Sequence, residues 1–478
     1  MMRLGTIFST ASTISILLSG IFLVSCGKKS MEGMIIISQV HSKTLSPDYN
    51  TGKSWRYVPG SHLYAIDPGT SGKTPESLTE NFFSACSPDI SFDANFMLFA
   101  AQQNQSDPWQ IWEMNLENRN ITQVTTGIEN SIDPAYLPGG RLVFSRTIAN
   151  DSLKSGHTLF TCNTDGTNLN RITFNPHSYF ASSVLKDGRV ITIGRQVFPK
   201  ESTPAMMVLR PDGTKSELFY EGNDKIEFFS RARETSDGKI IFIESDKNTG
   251  NQRSVVSISY NRPLHTMKNL TSGIAGDFYS AFPVEPGRFL VSYRPSESEN
   301  YELFNFDPEK MVLGEQIYKC TDKSILEAVV VKERERPKKL PSEVDAGVKT
   351  GLLFCQNIAI KGMSSPENIY SMSAGDRIEI IGIDSSLGVV KVEQDGSFYL
   401  KITADTPFKL KTLDAGGNTL NGPGSWIWLR PNERRGCTGC HEDQEMVPAN
   451  RVALAVKNQP VTVPVHVSSV KEKQVELE

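Results

Sequence analysis

The stretch PGGRLVFSR, from Pro138 to Arg146, decides how the first two thirds of this chain are read. Two glycines make a tight turn, and a β-rich apolar run follows at once, which is hairpin chemistry. The pattern returns as MEGMIIISQ from Met31, FDANFMLFA from Phe92, KDGRVITIG from Lys186, SDGKIIFIE from Ser236 and EPGRFLVSY from Glu285. The turn residues are Gly33, Asn95, Gly140, Gly188, Gly238 and Gly287. After the first gap they recur every ~45–50 residues, the length of a four-stranded propeller blade.

A strand-like element precedes each later turn: FFSACSP, NSIDPAY, SYFASSV, FFSRARE and FYSAFPV. Another follows each turn, as in QIWEMNL and YELFNFD. Gly33 has no such strand ahead of it, whereas ILEAVVV, Ile325 to Val331, comes after the last full repeat. Pairing the late strand into the first blade closes the ring and removes free sheet edges. The expectation is an all-β chain with a propeller of six blades, within a range of five to seven, over residues 26–338. Its SPD, DGT and NxT tags resemble the repeats of TolB-like propellers. Such a fold does not name a ligand. His62, His157, His177 and His265 lack metal-ligand spacing, and Asp89, Asp165, Asp187, Asp212 and Asp237 read as turn residues.

The bulk numbers suit an ordinary globular chain of two or three domains: 478 residues, 38% hydrophobic, 22% charged, formal net charge -4. No basic stripe invites nucleic acid. The N-terminus has one early cation, Arg3, and an apolar run from Ile14 to Val24, short for a membrane span and fit for a signal-peptide core. Leu23-Val24-Ser25-Cys26 resembles a bacterial lipobox. That resemblance implies removal of residues 1–25, lipidation of Cys26, and a protein tethered at the bacterial cell envelope, at the outer membrane or the periplasmic face. Export means an oxidising compartment. Cys86, Cys162, Cys320 and Cys355 form no disulfide framework and read as packed thiols, with Cys355 nearest the motif described next.

KERERPKKLPSEVDAGVK, from Lys332, reads as an extended connection. Beyond it, over residues 339–478, strand patterns with Gly and Asp turns predict a small antiparallel β-domain. VEQDGSFYLKI is expected to be a hairpin with Asp395-Gly396 at its tip, and WIWLR a strand. This domain delivers the chain into RRGCTGCHEDQE, Arg434 to Glu445.

Cys437-x-x-Cys440-His441 is open to three chemistries. Two thiols at this spacing add to the two vinyl groups of one porphyrin edge, and the next imidazole reaches the iron. A zinc site needs a second ligand pair, and no other CxxC, HxxxH or CxH occurs in the sequence. A redox dithiol needs a helix N-terminus under the thiols, and the flanks here are strand and loop. One covalent haem c is therefore the leading expectation, with His441 on the iron and Met446 or His466 as sixth ligand. Trp426 and Trp428 are candidates to pack on the porphyrin, and Arg430, Arg434 and Arg435 to pair with its propionates.

LEAVVVKERERP, ITADTPFKLKTLDAGG and GSWIWLRPNERRGCTGCHEDQEMVPANR resemble the middle domain of the hydrazine synthase alpha subunit family. The resemblance is specific over about Leu340 to Pro464 and covers the propeller only in type. It implies a propeller joined to a haem-bearing β-domain. Cys437 and Cys440 fall on the haem-attaching thiols and His441 on the motif histidine. Glu445 stands where the family's namesake has a tyrosine ligand, and no second CxxCH is present. These departures favour histidine ligation over the namesake's chemistry of joining nitrogen compounds. The expected function is an exported, lipid-anchored, mono-haem cytochrome-like protein. It would pass electrons to a redox partner protein or act on a small molecule, and haem-dependent oxidoreductase activity is left open. The alternatives are a propeller scaffold or sensor with a structural haem, and a zinc protein.

Overall fold

A computed structural model describes residues 31–41, 57–69, 74–149, 151–222, 225–246, 252–360, 375–439 and 450–464. Cys26, Cys440, His441, Met446 and His466 lie outside these residues. Among the described residues, strands up to Val330 form six sheets; five are in sequence order from their first strand, and one is led by a late strand. The second sheet shows the pattern: Ser84–Ile90, Phe96–Gln102, Gln110–Asn115 and Ile121–Gln123, all antiparallel. The quoted stretch supplies all but the last residue of Arg141–Thr147, paired to Ser131–Leu137 across the Gly139-Gly140 turn. Both glycines have positive φ, the conformation that glycine reaches without a Cβ clash.

The first sheet has the order Ser324–Val330, Ile35–Val40, His62–Ile66, Glu76–Ser77. The late strand thus pairs with the earliest, Ile35 opposite Val330 and Ile37 opposite Ala328. It also contacts Ser84–Ile90 of the second sheet, which closes the propeller. Ile90, Tyr136, Val184, Val284 and Val330, from the leading strands of five sheets, and Glu234, from the short strand Arg233–Glu234 of the sixth, line a single cavity of about 290 Å³.

Those first strands carry a shared irregularity. Ser87, Asp133 and Ala181 have φ of 58°, 55° and 55°, each inside a register shift. The bulge turns polar groups across neighbouring sheets. Asp133 accepts from Ser87 Oγ at 3.1 Å and from the amide of Ala181 at 2.9 Å, so one carboxylate spans three sheets. Asp89 corrects the reading of it as a turn residue. It is 2% exposed within a strand, accepts from the Tyr136 amide at 3.0 Å, and pairs with Arg233 at 3.3 Å and Arg334 at 3.4 Å. Asp165 and Asp212 are turn residues, each capping an amide two positions on.

The segment after Val331 is extended, and it is bound to the propeller along its course. The Arg334 amide donates to Phe92 O, its guanidinium to Ile90 O and Asp89, and the Lys338 amide donates to Lys186 O. Gly188, at φ +90°, lets this strap pass: a Cβ there would stand 2.0 Å from Lys338 O. Lys332 to Pro337 thereby roof the cavity on the ring axis.

Two further sheets follow. One is antiparallel, in the order Ser386–Lys391, Arg377–Ile381, Lys409–Leu413, Thr419–Asn421. The other has the order Arg434–Cys437, Thr350–Cys355, Phe398–Thr403, Val461–Val463, and is mixed. Its central pair is antiparallel, and both outer strands run parallel to their neighbours. The Asp395-Gly396 turn is present, but the strands flanking it enter different sheets, so no two-strand hairpin forms. WIWLR is not a regular strand: it makes one isolated bridge, Ile427 to Phe408. Leu353, Cys355, Ile378, Leu400, Phe408 and Leu429 share the core between the sheets.

Candidate cofactor-attachment site

The motif enters on an edge strand. Arg434–Cys437 lies parallel to Thr350–Cys355, with Leu352 opposite Arg434 and Cys355 opposite Cys437. The pairing continues past the strand ends, where the Gln356 amide donates to Cys437 O at 2.9 Å and the Asn357 amide to Thr438 O at 3.2 Å. Gly439 passes so close to Ile360 that a Cβ would stand 2.4 Å from the Ile360 carbonyl oxygen. The first half of the motif is therefore a fixed ledge, not a free loop.

The chain returns beside the same ledge. Arg451 donates to Gln356 O at 2.8 Å and to Asp395 O at 3.1 Å. The Leu454 amide donates to Asp395 Oδ2 and the Ala455 amide to Ser397 Oγ. Burial would raise the Asp395 carboxyl, but the Ser397 hydroxyl, the Leu454 and Ser397 amides and then Arg451 outweigh it and hold the group below the usual carboxylate range. Gly439 and Arg451 thus meet the fold at neighbouring places, the segment 356–360 and the 395–397 turn.

Behind the ledge is a buried carboxylate. Glu433 is 0% exposed. Its Oε1 accepts from the Lys215 amide at 2.8 Å and from Arg435 Nε and Nη2 at 3.0 and 2.7 Å. Its Oε2 accepts from the Arg430 amide at 2.8 Å. Lys215 belongs to the propeller, and its Nζ also donates to Arg434 O. Arg430 reaches Asp405 at 2.6 Å and Asp212 O at 3.0 Å, and lies over Phe174. Burial pushes the Asp405 carboxyl up, against the pull of Arg430.

The residues singled out in the sequence divide into two groups. Cys437, Arg434 and Arg435 share the ledge. Trp426 and Trp428 sit in the seam with the propeller instead. Trp428 is 1% exposed among Leu137, Leu159, Tyr179, Val190 and Leu209. Trp426 donates from Nε1 to Phe198 O at 3.1 Å. Both rings already have a packing role there. Arg435 is committed to Glu433, while Arg434 is exposed. Glu433, Lys215 and Arg451 were not found by sequence reasoning. A lone acid inside NERRGC was the available signal for Glu433; Lys215 gave none.

Of Cys437, Cys440 and His441, only Cys437 is among the described residues, and a thiol is the group that adds to a porphyrin vinyl. The Cys437 thiol is half-exposed at the end of an edge strand, with its carbonyl and its neighbours fixed. Among the described residues, no group of three or more His, Cys, Asp or Glu side chains converges as a metal site.

Residues 332–442 match the family model described as the hydrazine synthase alpha subunit middle domain. This segment runs from the strap through the motif histidine. The curated hydrazine synthase subunit alpha of Kuenenia stuttgartiensis is 22% identical over 515 aligned positions, covering 80% of this chain. This chain spans 63% of that protein's length. The solved Kuenenia stuttgartiensis hydrazine synthase superposes with a TM-score of 0.76 at 19% identity, covering 89% of this chain and 72% of that one. TolB from Acinetobacter baumannii gives a TM-score of 0.44 at 14% identity, covering 62% of this chain and 67% of that one. The chain is therefore an all-β propeller protein similar in sequence and fold to the hydrazine synthase alpha subunit, with its motif segment matched by that family's middle domain.

Proposed function

We propose that this chain is an exported c-type cytochrome-like protein holding one haem through Cys437 and Cys440, with His441 on the iron. Covalent haem would supply a one-electron couple and an iron able to take a further ligand. The observation that carries the reading is the CxxCH entered from a fixed edge strand, with the first thiol half-exposed at its end. The ledge holds Cys437 in place, Arg451 anchors the returning chain, and Arg434 offers an exposed cation for a propionate. Met446 and His466 are the candidate sixth ligands. The protein is proposed to be tethered at the cell envelope through lipid on Cys26 and to serve electron transfer, or redox chemistry on a small molecule. Among the described residues no helix is long and apolar enough to cross a membrane.

The test is an optical spectrum of the full chain, made in a host with periplasmic cytochrome c maturation, beside a Cys437→Ala/Cys440→Ala variant. A haem spectrum that survives denaturing extraction in the wild type and vanishes in the variant is expected. A carbon monoxide shift after reduction assigns an exchangeable iron position, and no shift assigns an electron carrier. Absence of haem, with zinc found by metal analysis, overturns the reading.

A further inference from the structure

We propose that Cys355 and Cys437 form a redox-sensitive pair that closes to a disulfide while no haem is attached. This rests on the haem reading only for its consequence, because the pair itself is a property of the sheet.

The two cysteines are direct register partners on adjacent parallel strands. Adjacent strands lie about 4.8 Å apart and register partners point to one face, within the ~4.4–6.8 Å Cα separation that disulfides span. Both thiols meet the same apolar core: Cys355 is a member of it and Cys437 packs against it. Main-chain hydrogen bonds on the next residues, Gln356 to Cys437 and Asn357 to Thr438, fix the register. A shift of one residue would put the two side chains on opposite faces.

Their unequal exposure sets the order of events. Cys437 is half-exposed and Cys355 buried. A disulfide oxidant of the exported compartment meets Cys437 first. The Cys437 thiolate attacks one oxidant sulfur, forms a mixed disulfide and releases the other sulfur as thiolate. The Cys355 thiolate then attacks the Cys437 sulfur and expels the remaining oxidant thiolate. Two cysteine thiols lose two protons and two electrons, and one oxidant disulfide becomes two thiols. Reversal requires an external dithiol reductant. While the bond stands, Cys437 has no thiol to add to a vinyl group, so haem attachment waits on reduction.

The experiment uses the full chain exported in a host lacking cytochrome c maturation, with oxidised glutathione as the probe oxidant. Thiols are blocked before tryptic mapping without reductant. Cleavage after Lys349, Lys361, Arg435 and Arg451 gives one peptide carrying Cys355 and one carrying Cys437 with Cys440. The expected product joins the two peptides, persists in Cys440→Ser and disappears in Cys437→Ser. Blocked Cys355 with a Cys437–Cys440 loop overturns the proposal, as does a link that survives Cys437→Ser. A second readout is haem yield in the maturation host with limiting reductant, where Cys355→Ala is expected to raise covalent haem at least twofold over wild type. An unchanged or lower yield overturns the gating role. Failure of haem attachment in every variant would count against the haem reading alone, since the mapping needs no haem.

Discussion

The main-chain amide of Lys215, in the propeller, donates at 2.8 Å to the carboxylate of Glu433, four residues before Cys437. This bond joins the two halves of the molecule directly behind the motif strand. Arg435 and the Arg430 amide share the same carboxylate, so four donors converge on one buried group. Removing it strands them. Glu433→Ala is expected to cost about 3–5 kcal/mol, the range for breaking a buried charged pair, and Glu433→Gln less. Urea unfolding measures the loss. Limited proteolysis between residues 331 and 350 should accelerate in the alanine variant if the clamp holds the halves together.

Trp428 fills the seam a few residues earlier. Truncating a buried aromatic costs about 3–5 kcal/mol, so Trp428→Ala should lower stability by that order. Among the described residues its indole N–H is buried without a partner, and such a group is itself costly, by about 1–3 kcal/mol. Trp428→Phe keeps most of the packing and removes that N–H. It should therefore fall well short of the alanine loss, and equal losses in the two variants would refute the packing role.

Glu244 makes stability depend on pH near neutrality. Burial pushes its carboxyl up to about 7, against the hydrogen bond from Tyr220. An acid with a raised folded pKa binds its proton more tightly in the folded state. Stability then falls as pH rises from about 4.5 to about 7, and levels off above. At ~1.4 kcal/mol per unit the total is about 3 kcal/mol. Glu244→Gln should flatten that part of the curve in denaturation series between pH 4 and 8.

Asp89 acts with the opposite sign. Burial alone would raise its carboxyl, but Arg334, Arg233 and Arg231 outweigh it and hold the group below the usual carboxylate range. Its contribution is full above about pH 4, the unfolded carboxylate range, and is lost as pH falls through the lower folded value. Asp89→Asn should cost about 3–5 kcal/mol at pH 7, because it removes the carboxylate that Arg233 pairs with in the interior. The gap to wild type should narrow in acid, which acid titration by circular dichroism would follow.

Much of the propeller was legible because its turns and strands are local. The return of Ile325–Val331 to the first sheet was also readable, since one repeat lacked a strand and another strand was left over. The second domain was harder. Its strands were visible, but which sheet each joins is decided by pairings distant in sequence, such as Leu353 with Arg435. The Asp395-Gly396 turn misled for this reason: turn chemistry is local and sheet choice is not. At the site, CxxCH announced itself, whereas Lys215 reaches Glu433 across 218 positions, and nothing near Lys215 marks it. Trp426 and Trp428 drew attention as aromatics near the motif, and only the fold shows the propeller's claim on them.

The strand that closes the propeller, Ser324–Val330, is also the one that leads into the motif domain. A chain emerging N-terminus first cannot complete its ring until nearly 300 residues after Ile35 have followed. Until then the first sheet lacks its leading strand, and Ile35–Val40 has one edge waiting. Cys355 follows the closing strand by 25 residues and Cys437 by 107, so both cysteines arrive after the ring's last strand. Any enzyme that modifies Cys437 on the emerging chain meets it only after the body that steadies it has had its last strand delivered.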